Sequence, residues 1–218
     1  MKKILGILAI SLSLAACAAK TTPVPVEPQN TEDYSAGSII KTTTETEHDS
    51  SYELDTTAST LGWEASRVAA APHVGTVAMT SGTLLLNKGN FVGGEFVIDM
   101  TQITEEKNSE RFLGHIKNDD FFSVEKFPTS HLSITSFTKL NETEYEVTGN
   151  LTIKDQTHPI TFTAQMQETE ASLTSTAEFQ IDRTKWNITY DSGSLFQQLG
   201  DKAIKDEITY RLNLVFKK

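Results

Sequence analysis

Tyr145 to Met166, YEVTGNLTIKDQTHPITFTAQM, is the stretch on which the fold turns. Tyr145, Val147, Leu151 and Ile153, then Ile160, Phe162, Ala164 and Met166, alternate with Glu146, Thr148, Thr152, Thr161, Thr163 and Gln165. Successive side chains of an extended chain point to opposite faces, so this period of two marks two half-buried β-strands. Lys154 to Pro159 is polar and ends in proline, which makes it the reversal of a β-hairpin. The apolar face has three candidate covers: a packed core, a lipid bilayer or a ligand.

The same pattern recurs on both sides. Strand-like runs cover Leu61 to Ala65, Val74 to Met79, Thr83 to Leu86, Phe91 to Met100, His131 to Phe137, Glu144 to Ile153, Ile160 to Gln167, Ala177 to Ile181 and Ile208 to Phe216, with turn-rich segments between them. One stretch, Asn108 to Phe122, returns Phe112, Ile116 and Phe121 or Phe122 at helical spacing. An antiparallel all-β sheet of about eight strands with one short α-helix follows, and closing such a sheet removes its exposed edges. A barrel of about eight strands is either filled by its side chains or holds one small ligand. A membrane-spanning barrel would need the apolar row outside and the polar row lining a lumen. The helix and the C-terminal Phe216-Lys217-Lys218 fit that poorly.

The chain has 218 residues, 38% of them hydrophobic and 22% charged, enough for one sizeable β domain over 52–218. It begins MKKILGILAISLSLAAC, where Lys2 and Lys3 precede an apolar run too short to span a bilayer, and 1–16 reads as a secretory signal. The final LAAC resembles the lipobox of bacterial lipoproteins, which makes Cys17 the lipid attachment point. This cysteine is the only one, so no intramolecular disulfide can form and stability must come from core burial. Residues 17–51, with TTPVPVEP and KTTTETEHDSS, read as the lipidated N-terminus and a tether, the alternative being an extra edge strand around Ser38, Ile39 and Ile40.

The formal charge is −10, and loss of residues 1–16, with two lysines and no acid, takes it to −12. That balance excludes nucleic acid as a partner and disfavours adsorption to anionic head groups. The five histidines, His48, His73, His115, His131 and His158, have neither close pairing nor cysteine partners, so no metal is expected. Asp182 and Arg183, adjacent on a strand, are expected on opposite faces, each paired with a neighbouring strand. Glu105-Glu106 and Asp119-Asp120 read as a solvated face around the helix start. No nucleophile and base stand out together, and no catalytic residue is assigned.

GHIKNDDFFSVEKFP (Gly114 to Pro128), GNLTIKDQTHPITF (Gly149 to Phe162), FQIDRTKWNI (Phe179 to Ile188) and LGDKAIKDEI (Leu199 to Ile208), in this order and spacing, resemble the YceI-like family from Tyr52 to the C-terminus. The resemblance implies an extended lipocalin-like antiparallel β-barrel whose apolar interior binds a polyisoprenoid or quinone-type lipid, with no catalytic residues and no cofactor other than that ligand. Trp186 and Asn187 depart from the family pattern, where a smaller aromatic and a glycine are expected, which implies a reshaped cavity near Tyr190.

From the residues alone, the inward aromatics Trp63, Phe96, Tyr145, Phe162, Phe179 and Phe216 would most simply pack on one another. With the resemblance they become ligand-binding candidates, together with Phe112 and Ile116 on the helix and Trp186 and Tyr190 beyond it. Strands of about ten residues at roughly 3.3 Å each, tilted near 40°, make a barrel roughly 25 Å tall. Burying about forty carbons at about 0.8 kcal/mol per methylene nominally gives about 30 kcal/mol, above the practical affinity ceiling of about 20 kcal/mol. The relevant competitor is the membrane, where the chain is already out of water. Transfer from bilayer to barrel is then nearly neutral, which allows both loading and release. The expected protein is an envelope lipoprotein of the outer membrane, facing the periplasm, that holds one long-chain amphiphile for storage, protection or transfer. Its rivals are a filled-core module recognising an envelope protein, and an enzyme acting on an isoprenoid lipid, which would need an acid–base pair at the barrel mouth.

Overall fold

Alternating apolar residues pair into nine antiparallel β-strands, accompanied by one α-helix, in the computed structural model, which describes residues 47–218. The signal segment 1–16, Cys17, the tether up to residue 46 and the alternative strand at Ser38 to Ile40 lie outside the described residues. The strands are β1 (Ser50–Leu54), β2 (Thr60–Ala65), β3 (His73–Asn87), β4 (Asn90–Asp99), β5 (Thr129–Lys139), β6 (Glu144–Ile153), β7 (Gln156–Glu168), β8 (Ser172–Asp182) and β9 (Glu207–Lys217); the helix α1 (Glu110–Lys117) lies between β4 and β5.

The sheet closes. From β3 the ring runs through β2, β9, β8, β7, β6, β5 and β4, and β4 pairs back onto β3 from Ala78↔Asp99 to Asn87↔Asn90. Strand β1 takes no rank of its own. It pairs with β3 at Ser50↔Leu86 and with β9 at Leu54↔Phe216, while β2 pairs with the same two strands further along, at Ala65↔His73 and Trp63↔Tyr210. The two form one interrupted strand, so the barrel has eight ranks, as the sequence predicts. Strand β1 itself was not anticipated, since SSYEL offers only Tyr52 and Leu54 to alternate.

Three local expectations need correction. The runs at Val74 to Met79 and Thr83 to Leu86 belong to one strand, β3, with a register shift between Met79 and Ser81. The extra residue moves the buried set from Gly75, Val77 and Met79 to Gly82, Leu84 and Leu86, which reads as a strand break in an alternation count. The helix is shorter than Asn108 to Phe122. Ser109 caps it by accepting from the Phe112 N–H, and the chain leaves it at Asn118, turning back so that Phe121 and Phe122 are still buried. The reversal at Lys154 to Pro159 is tighter than expected. Ile153 pairs with Gln156, leaving Lys154 and Asp155 as the turn, with Lys154 at φ 57°, and Pro159 sits inside β7 opposite Asn150.

Strand ends share a device. Asp55, Asp99 and Asp182 each accept from the N–H and the hydroxyl of the threonine two residues on, the hydroxyl bonds being 2.6 Å at each site. Asp-x-Thr thus turns the chain out of β1, β4 and β8.

One end of the barrel is sealed by Tyr52, Leu86, Leu173 and Phe216, all buried. Tyr52 donates its hydroxyl to Glu168, and Lys218 lies 5.5 Å from the Tyr52 ring and 3.3 Å from the Glu168 carboxylate. The other end carries the long connections: 66–72, 100–128 with α1, and 183–206. Gly75 lets the second of these pack close. A side chain there would collide with the Thr104 carbonyl, which instead accepts from the Trp63 indole at 3.1 Å, while the Thr104 N–H donates to Thr76 O at 2.8 Å.

Candidate functional site

The inward rows border a cavity of about 240 Å³, just below the roughly 300–1,000 Å³ of small-molecule sites. Seven of the ten sequence candidates border it: Trp63, Phe96, Phe112, Ile116, Phe162, Phe179 and Phe216. The other three lie elsewhere. Tyr145 packs against Phe91 at 5.6 Å towards the sealed end. Tyr190 packs on Phe121 and His115 at 5.4 and 4.9 Å. Trp186 is 1% exposed, donates its indole N–H to Leu151 O at 3.0 Å and meets the His158 ring edge-on.

The position of Trp186 follows from an irregularity in the ring. β6 and β7 share ten register pairs and β8 and β9 share eleven, but β7 and β8 share five, from Ala164↔Ala177 to Glu168↔Leu173. Towards the open end these two strands have no ladder between them. Phe162 and Phe179 would be the next inward pair, and their rings stack at 4.5 Å and 16°. Beyond them the turn Arg183–Trp186 packs against β7. Pro159 fits here because proline is tolerated along a strand edge, where its missing N–H forfeits no ladder bond. Asn187 follows at φ 55°, a left-handed position that accounts for a glycine expectation and that asparagine also tolerates.

Several inward residues on the three strands around this seam remain unburied. Ile160, Phe179, Tyr210 and Leu212 border the cavity yet are only half-buried, unlike Phe162, Ile181, Ile208 and Leu214 beside them. Four hydroxyl-bearing residues, Ser66, Ser130, Ser175 and Tyr210, line the cavity wall. Ser130 Oγ is buried without a hydrogen-bond partner, and the Tyr210 phenol makes no hydrogen bond among the described residues, its pKa pushed up by burial. A buried hydroxyl left unpaired costs about 1–3 kcal/mol, so Ser130 would gain from a polar ligand atom.

The mouth lies at the end with the long connections, where Arg67, His73 and His115 border the cavity with side chains 40%, 36% and 36% exposed. His73 stacks on Phe112 at 3.9 Å, and its Nδ1 is 2.8 Å from Glu105 Oε1, while Glu105 Oε2 accepts from the Ser109 N–H. His73 and that N–H hold the Glu105 carboxyl below the usual range. This is an acid–base pair at the mouth, but its carboxylate is committed to the start of α1, so it clamps the helix across the opening. Sequence spacing missed it, because residues 73 and 105 meet only through the packing on Gly75.

Arg183 is not paired across a strand as expected. Asp182 starts the turn, and the Arg183 side chain, 2% exposed, donates to Lys205 O, Ile188 O, Ile204 O and the Asp206 carboxylate at 3.1, 2.7, 3.2 and 3.2 Å. Burial lowers its pKa and the neighbouring aspartates oppose that shift. Among the described residues no group of three or more histidine, cysteine or acidic side chains is placed to hold a metal ion.

A family model, the YceI-like domain, matches residues 52–216. No curated protein sequence matches. Among solved structures, Burkholderia cenocepacia BcnA superposes with a TM-score of 0.63 at 17% identity, covering 74% of this chain and 98% of that one. A polyisoprenoid binding domain from Saccharophagus degradans, implicated in plant cell wall breakdown, superposes with a TM-score of 0.60 at 14% identity, covering 76% and 97%. At these identities the likeness is one of fold.

Proposed function

The chain belongs to the YceI-like family, and from that premise we propose that it is a cell-envelope lipoprotein whose barrel holds one long-chain isoprenoid or quinone-type amphiphile. The observation that carries this reading is the apolar cavity onto which Ile160, Phe179, Tyr210 and Leu212 face while only half-buried. A filled core would bury them like their neighbours. The description of the Saccharophagus domain as polyisoprenoid binding supports the ligand class. The hydroxyls of Ser130 and Tyr210 favour an amphiphile over a bare hydrocarbon, since each offers a hydrogen bond inside an apolar wall. The family is one of binding domains of the periplasm and envelope, and attachment through Cys17 would keep this member on a membrane, which suits storage, protection or transfer of a lipid.

Mass spectrometry of the protein and of its organic extract tests both parts. One equivalent of an isoprenoid lipid per chain is expected, with an acylated N-terminus that Cys17→Ala abolishes. An extract without lipid from protein purified out of native membranes would favour the filled-core interaction module, and acylation surviving Cys17→Ala would remove the anchor.

A further inference from the structure

Beside the mouth lie two loops without a single charged residue. Residues 68–72 read VAAAP and residues 193–200 read GSLFQQLG, in a chain whose residues are 22% charged. All of 68–72 and of 193–198 is exposed, with Val68, Leu195 and Phe196 at 55%, 54% and 51%. The loops are joined. The Val68 N–H donates to Ala203 O at 2.9 Å, Lys205 N–H to Ser66 O at 2.9 Å and Ile204 N–H to Asp191 O at 2.8 Å. Ser66, Arg67 and Ile204 border the cavity, so the cavity wall continues outward into this surface. At the loop bases Arg67 and Asp191 pair at 3.1 Å and Asp206 accepts from Ser194 Oγ, while Asp201 and Lys202, of opposite charge, follow the second loop directly.

We propose that these two loops form a docking surface that seats the cavity mouth on an electrically neutral lipid bilayer. The proposal rests on the lipid-binding reading and adds the place where lipid passes. A long apolar chain moving between bilayer and barrel avoids water only if the mouth meets the membrane. Loop tips free of charge suit that contact, because a charged side chain resists leaving water. The acidic body disfavours anionic head groups, which selects a neutral surface. Three large exposed side chains fall short of the roughly 800 Å² that a stable protein partner covers on each side, whereas a membrane interface accepts individual apolar side chains.

The tether allows this orientation. It joins the barrel at β1, where Ser50 pairs with Leu86 at the sealed end. The thirty residues from Cys17 to Thr46 span at most about 100 Å when extended. The fifteen residues of β3 measure about 50 Å along the strand. An anchored chain therefore reaches the sealed end while the open end rests on the same membrane.

Co-sedimentation with phosphatidylcholine vesicles tests the proposal, using residues 17–218 with Cys17→Ala so that no acyl anchor contributes. The parent is expected to partition onto the vesicles, and Leu195→Ser with Phe196→Ser to weaken that at least tenfold. Leu140→Ser, which removes an apolar side chain 52% exposed in the β5–β6 turn at the sealed end, is expected to change nothing. Copurified lipid is measured in every variant. Lipid retained with equal vesicle binding by parent and double variant, or with none by the parent, overturns the docking surface alone. A concentration-dependent dimer abolished by the double variant, with no vesicle binding, assigns the patch to a second copy and also overturns it. Absence of lipid from every variant sinks the reading beneath.

Discussion

Replacing Arg183 with methionine is expected to lower the unfolding free energy by about 3–5 kcal/mol, the range for removing one partner of a buried ion pair. Methionine fills part of the space but returns none of the four hydrogen bonds. The carbonyls of Ile188, Ile204 and Lys205 and the Asp206 carboxylate would face an apolar side chain. Asp206 also accepts from Ser194 Oγ, so the connection from β8 to β9 would loosen on both its arms. Lysine at the same position keeps a charge but offers a point donor in place of a planar fork, and is expected to recover only a minor part. Urea unfolding of the three proteins decides it, and a loss below about 1 kcal/mol for the methionine variant would mean that the four acceptors find other donors or water.

Cutting Phe162 to alanine is expected to cost about 3–5 kcal/mol in delipidated protein, as for an aromatic removed from a core. Phe162 is buried, and its stack on Phe179 closes the seam where the β7–β8 ladder stops. In lipid-loaded protein part of its contact is with the ligand, which settles into the vacated space, so the loss there is expected to be smaller. Thr161→Ala serves as control. Its hydroxyl points outward, 3.2 Å from the Thr148 hydroxyl on an exposed face, and the change is expected to stay within about 0.5 kcal/mol. Equal large losses with and without added lipid, together with wild type that yields no lipid, would show that Phe162 sits in a packed core.

The two predictions differ in how far the sequence alone could have led to them. Phe162 was legible, because Ile160, Phe162, Ala164 and Met166 alternate within one window and pairing preserves that parity. Trp63, Phe96, Phe179 and Phe216 were legible for the same reason, and Phe112 and Ile116 from one helical turn. Tyr145 faces inward by parity but lies at the sealed end, a height that alternation does not report. Arg183 was misread because its acceptors lie five to twenty-three residues away, across a connection with no regular period. Asp-x-Thr at residues 182–184 was the available sign that β8 ends there, and Pro159 the sign that β7 has an edge.

Period-two alternation by itself determined that the chain forms antiparallel strands with one apolar face in about eight ranks, and helical spacing marked one short helix, since each of these is a property of neighbours in sequence. Tertiary structure alone decided that β1 and β2 share a rank, that β3 shifts its faces at Met79 and Ser81, that Trp186 closes the seam below Phe162 and Phe179, and that Ile160, Tyr210 and Leu212 border the cavity only half-buried. The reason is physical. Alternation states which side chains turn away from water, while the volume they enclose depends on strand register and tilt around the whole ring, and that sum is carried by no local window.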